Sequence, residues 1–136
     1  MAARDSRGRF VARLSGAIEM KKKLLRLRWG MPAEIDSALY QETEVEVKEV
    51  KRRTPVKHGP LRASVHTVGP IRSGRTTYTL IVAGGPAAPY AIYVHENLRA
   101  FHKVGGAKYI ESVVLESRPH MGARVARRID LNRLLK

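Results

Sequence analysis

The chain has 136 residues and a mass of 15.2 kDa, which is room for one core and excludes two independent ones. Hydrophobic residues make up 43% and charged residues 28%, so general disorder is excluded, while 26 Lys and Arg against 12 Asp and Glu give a formal charge of +14 that draws polyanions or acidic partners. The lack of cysteine excludes a disulfide scaffold, thiolate metal sites and a cysteine nucleophile. No apolar run reaches the roughly 18 to 20 residues that span a bilayer, and the basic N-terminus lacks the apolar stretch of a secretion signal, so a soluble chain with no membrane partner is expected.

Residues 1–30 carry nine basic side chains against Asp5 and Glu19, which is half of the net charge. Residues 1–16 have no sustained apolar period, so they read as a basic flexible arm that orders only against a partner, with Phe10 and Leu14 as its apolar anchors. Residues 17–136 are expected to form a single domain. From Ile18 the pattern is ambiguous: Ile18, Met20, Leu24 and Leu25 fit a short helix, the favoured reading, while Lys23 to Trp29 also alternate as a strand. Pro32, followed by Glu34 and Asp36, suits a second helix N-terminus. Ile35, Leu39, Thr43, Val47 and Val50 then recur at helical spacing, giving an apolar stripe that runs to about Arg53. Glu42, Glu44 and Glu46 fall on what reads as an exposed acidic face of this helix.

Thr54-Pro55 ends that helix, and residues 57–60 form a turn. Residues 61–68 alternate as a half-buried strand, 69–75 read as a turn, and 76–83 form a second strand, together an antiparallel hairpin. Residues 84–89 are a loop, 90–98 a short helical segment, and Gly105-Gly106 a second break. A helix over 107–117 is expected to stop before Pro119 and to resume over 121–135. The fold class is therefore α+β, a small antiparallel sheet packed against a long helix and C-terminal helices.

The residues do not point to catalysis. His95-Glu96 resembles the start of a zinc-protease signature, but the position of the second histidine holds Arg99, so no metal site is expected. Gly84-Gly85 and Gly105-Gly106 lack the Lys-Ser/Thr of a phosphate loop and read as turns. No nucleophile elbow is present, and no catalytic residue or cofactor is expected. The basic balance admits non-specific contact with nucleic acid. Aromatic residues make up only 6%, however, and no zinc finger, helix-turn-helix or ribonucleoprotein motif supports sequence reading.

Four segments in order resemble a known family. They are Thr54-Pro55-Val56 with Gly59; Leu61-Arg62-Ala63-Ser64; Tyr90-Ala91-Ile92-Tyr93-Val94-His95-Glu96; and Gly106-Ala107-Lys108-Tyr109-Ile110-Glu111. Over residues 32–130 the chain is similar to the tail-completion or head-tail joining proteins of long-tailed bacteriophages, also called neck or minor capsid proteins. It departs from the commoner pattern at Lys57-His58, where the family often has an acidic residue and threonine, and at Pro60.

The resemblance implies a structural virion protein without enzymatic activity or cofactor. It implies a ring, usually of about six copies, in the neck of a virion assembled in the cytoplasm of a bacterial host. The implied partners are copies of itself, connector, adaptor or stopper proteins on the head side, and tail-terminator or tail-tube proteins on the tail side. Packaged DNA is a non-specific partner at most. Thr54, Pro55, Gly59, Leu61, Ser64, Tyr90, Tyr93, Ala107 and Lys108 are expected to define turns and core. Phe10, Leu14, Glu42, Glu44, Glu46, Arg62, His95, Glu96, Asn97 and Arg99 are expected at subunit or partner interfaces, the glutamates meeting basic residues of a neighbouring copy. The alternative is a free, non-specific nucleic-acid-binding protein.

Overall fold

The computed structural model of the protein describes residues 2–4, 10–12, 16–57 and 59–136. Leu14 and His58 lie outside the described residues, and Phe10 is described by its backbone alone. The fold is α+β. The chain divides into two compact units, Met1–Pro32 with Asp130–Lys136, and Ala33–Ile129.

In the first unit, strands β1 (Ala2–Arg4) and β2 (Phe10–Ala12) pair antiparallel. Helix α1 (Ala17–Arg53) begins here. Its first turns hold the short C-terminal helix α5 (Leu131–Leu135): the Arg26 guanidinium donates to the Lys136 carbonyl at 2.8 Å, and Gly30 lies so close that a Cβ would meet Leu134 at 2.5 Å. Asp130 caps α5 by accepting from the Arg133 amide.

The second unit carries the core. After α1 come α2 (Pro60–Ser64), strands β3 (His66–Ser73) and β4 (Thr76–Val82), α3 (Ala91–Glu96) and α4 (Tyr109–Arg128). β3 and β4 form the expected antiparallel hairpin, with Val68 opposite Leu80, Ile71 opposite Tyr78, and a register shift between Val68 and Ile71. Polar contacts hold the hairpin to α1. Arg72 Nε donates to Asp36 at 2.9 Å, Thr67 donates to Glu44, and the Thr43 and Thr79 hydroxyls share a hydrogen bond. The core proper is Val47 and Val50 of α1, Leu61 and Val65 around α2, Ala88, Ala91, and Tyr109 and Val113 of α4. The Tyr109 hydroxyl donates to the Ala91 carbonyl at 3.2 Å, and burial pushes its pKa up.

Several expected boundaries are corrected, among them the helix expected over 121–135, which is split between α4 and α5. Pro32 does not start a helix but sits inside α1, and Pro119 sits inside α4. An internal proline costs about 3 kcal/mol. In α4 that cost is opposed from both sides, by buried Tyr109, Val113 and Ser117 before Pro119 and by ion pairs of Arg124 and Arg128 after it. A further correction is residues 61–64, which form α2 rather than the start of a strand. Gly59 takes φ +91, Pro60 fixes a helical φ at the first position, and the Ala63 amide reaches the Gly59 carbonyl at 3.0 Å. The strand begins at His66, and it extends through Gly69-Pro70 to Ser73, where a turn was expected.

Candidate interaction surface

The end of α1 organises the site. Thr54 is fully buried, and its hydroxyl and amide both donate to the Val50 carbonyl, at 2.7 and 2.8 Å. The guanidinium of Arg62 donates to the Thr54 carbonyl at 3.0 Å, so this expected interface residue also closes the turn between α1 and α2. Ser64 accepts from the Gly84 amide at 2.8 Å and donates to the Leu61 carbonyl at 2.6 Å, linking α2 to the loop before α3. Gly105 packs its backbone on the same corner. At φ +77, a Cβ there would stand 2.4 Å from the Arg53 carbonyl oxygen, and the Gly106 amide donates to that oxygen at 3.2 Å.

These turns leave a groove of about 610 Å³ lined by residues 55–57, Gly59 and Leu61 on one side and by Tyr90, Tyr93, Val94 and 101–104 on the other. Segments far apart in sequence, the Thr-Pro-Val turn and the Tyr-Ala-x-Tyr-Val segment, therefore share one wall-and-floor arrangement. Of the residues expected to define the fold, Thr54, Pro55 and Leu61 are buried, whereas Tyr90 and Tyr93 are 43% and 70% exposed. The expectation that Tyr93 anchors the core is thus corrected: Val94 packs on the core, and Tyr93 stands at the mouth of the groove. Its hydroxyl accepts from Asn97 Nδ2 at 3.0 Å, while Asn97 Oδ1 accepts from the Arg99 amide at 3.1 Å and shapes the turn after α3. The Arg99 side chain is exposed.

On the other side of α3, Lys108 takes φ +55, and its ammonium reaches Glu96 at 2.5 Å and Glu111 at 2.9 Å. Its amide donates to the His95 carbonyl at 2.7 Å. Lys108 and then His95 hold the Glu96 carboxyl below its ordinary range, while Glu96 and then Glu111 push the Lys108 pKa up. The His95 ring lies edge-on to Tyr109 at 4.9 Å, and its Nδ1 is 2.7 Å from Glu96. The His95 side chain is only 17% exposed. His95, Glu96 and Glu111 present ligand atoms within 4.8 Å of one another, but the Lys108 ammonium already supplies the positive charge between the two carboxylates. Arg99 lies beyond the C-terminus of α3, off the helix that a zinc-protease signature requires.

The glutamates of α1 bring the largest correction. Glu42 and Glu46 are 1% and 4% exposed. Arg128 Nε donates to Glu42 at 2.8 Å, Arg124 pairs with Glu46, and Arg124 Nε lies 2.6 Å from Glu42 as an ion pair without hydrogen-bond geometry. They are buried because α4 lies along this face of α1, and buried carboxylates need such partners. Glu44 is half-buried against Thr67. The expected exposed acidic face therefore does not exist at Glu42 and Glu46. The signal was present in the sequence: Glu42 and Glu46 are four residues apart, and so are Arg124 and Arg128, the spacing of two helices that pair acid to base along their lengths.

No protein-family profile, curated protein or solved structure matches the chain.

Proposed function

We propose that the chain is a structural component of a tailed phage or phage-like particle, one that forms a ring in the neck and joins or completes the tail. The observation that carries this reading is the convergence of the family-like segments. Residues 54–56 and 59–64, 90–96, and 106–111 build one corner of the Ala33–Ile129 unit, and the first three of these stretches meet at one groove. A second observation supports self-association. The outer face of the hairpin carries Val68, Tyr78 and Leu80 at 36, 39 and 44% exposure, with Val68 directly opposite Leu80, an apolar face that a neighbouring copy covers. The buried pairing of Glu42 and Glu46 removes the acidic-to-basic contact between copies from this picture, so the copy-to-copy contact is apolar. On this reading the chain has no catalytic residue and no cofactor, and it resides in the virion. Quantitative mass spectrometry of particles purified from the cell that encodes the chain tests it. Several copies per particle support it, and absence from particles sinks it.

One observation favours a second reading, a free non-specific nucleic-acid-binding protein. Lys21, Lys22, Lys23, Arg26 and Arg28 are exposed together on the first turns of α1. That reading requires affinity for duplex DNA that falls steeply as salt rises, and weak, salt-insensitive binding removes it.

A further inference from the structure

We propose that the groove between the end of α1 and α3 docks an acidic segment of a different protein, a short stretch in which an aromatic or branched aliphatic side chain is flanked by Asp or Glu. The inference rests on the groove's own geometry and stands or falls apart from the neck reading.

The floor is aliphatic, built from Val56, Leu61, Val94 and Val104. Phe101 and Tyr93 stand at its mouth with 92% and 70% of their surface in water. A large ring so exposed adds nothing to the core and costs hydration free energy that only an occupant relieves. The volume of about 610 Å³ is in the range of sites that swallow large side chains. Around this floor the charged side chains are all basic, and the Tyr90 and Tyr93 hydroxyls are the other polar side-chain groups. Lys57 and Lys103 line the groove, and neither pairs with a carboxylate among the described residues. His102 also lines it, and its Nε2 is buried without a hydrogen-bond partner among the described residues.

The charge complement has to come from elsewhere. Among the described carboxylates, Asp36, Glu42, Glu46, Glu49, Glu96, Glu111 and Glu116 pair with cations of their own chain. Glu44 accepts from Thr67 and Asp130 caps α5. Glu19 and Glu34 on α1 apart, a second copy therefore has little acid to offer the rim. The basic arm, with Arg4, Arg7, Arg9 and Arg13, is repelled by it. A nucleic-acid strand would use the lysines and stack on the rings, but it leaves the aliphatic floor unfilled and needs a row of cations to follow its phosphates. An acidic peptide with one apolar anchor satisfies floor and rim together.

Fluorescence anisotropy on the full chain tests this with three labelled probes: the peptide Glu-Asp-Leu-Phe-Glu-Asp, its counterpart with every acid replaced by Lys, and oligothymidylate of about twelve nucleotides. Only the acidic peptide is expected to bind saturably. Phe101→Ala and Lys103→Glu each weaken it about fivefold or more, and Lys103→Glu raises binding of the lysine peptide. Both side chains are exposed, so circular dichroism and thermal midpoint stay at their unsubstituted values. The proposal is overturned if the acidic peptide does not bind, if the lysine peptide binds as well, if both variants bind as the parent does, or if oligothymidylate alone binds at this groove. It is equally overturned if the chain self-associates and Phe101→Ala abolishes that association, since a second copy then fills the groove.

Discussion

At the residue scale the corner at the end of α1 depends on one glycine rather than on the pair. Gly105 combines φ +77 with a Cβ position 2.4 Å from the Arg53 carbonyl oxygen, whereas nothing lies within 4 Å of a Cβ at Gly106. Gly105→Ala should therefore cost about 3 kcal/mol or more, from left-handed strain and overpacking together, while Gly106→Ala stays within about 0.5 kcal/mol. Urea unfolding of the two variants measures the contrast, and equal effects would show that the corner does not hold Gly105. The ion pairs beside it set a pH dependence. Arg52 and then Arg53 hold the Glu49 carboxyl at about 2, against an ordinary 4.5, and Arg53 holds Glu116 low as well. Because the folded values lie below the unfolded ones, this stabilisation is complete above about pH 4.5 and is lost as pH falls from there towards about 2. The thermal midpoint should fall across that window, and Glu49→Gln with Glu116→Gln should flatten the fall. An unchanged slope in the double variant would remove these pairs as its cause. The sequence showed Gly105-Gly106 as a break, but not which glycine is indispensable, because that depends on a backbone 50 residues away.

At the element scale, the first reading of the local pattern and the structure disagree at four places. The hairpin was legible because β-branched alternation carries its own period. The α-helical stripe of Val47 and Val50 was legible for the same reason. Pro32 and Pro119 look like breaks locally, yet both sit inside helices. Leu61–Ser64 alternates like a strand, but Gly59 and Pro60 before it set a helical turn. Glu42 and Glu46 look like a solvated face because acids usually are one, and only the i, i+4 match to Arg124 and Arg128 betrays their burial. Arg124→Ala leaves two buried carboxylates short of a partner and should destabilise by about 3 kcal/mol. It should be compared with Arg118→Ala on an exposed position of the same helix, which should change stability by less than about 0.5 kcal/mol. If thermal unfolding showed the two variants alike, the Glu42–Arg124–Glu46 network would not be holding α4 to α1.

At the scale of the whole molecule, the pairing of its acids organises the surface. A chain with a formal charge of +14 keeps most of its carboxylates in internal pairs and leaves its surplus lysines and arginines to meet other molecules. Exposed apolar residues lie on the hairpin's outer face and around the groove, and also along the first turns of α1, at Ile18, Met20, Leu24 and Trp29. Deleting residues 2–14 should leave the helix and strand content of the Ala33–Ile129 unit intact while weakening incorporation into particles, with circular dichroism reading the first and particle composition the second. Undiminished incorporation would deny the arm an assembly role.

The most direct test of the neck assignment is a cryo-electron microscopy reconstruction of the particle encoded with this chain. The account predicts a closed ring of about six copies between the head-side connector and the tail tube, with the hairpin's outer face against a neighbouring copy. A reconstruction that accounts for every neck density without this chain would contradict it.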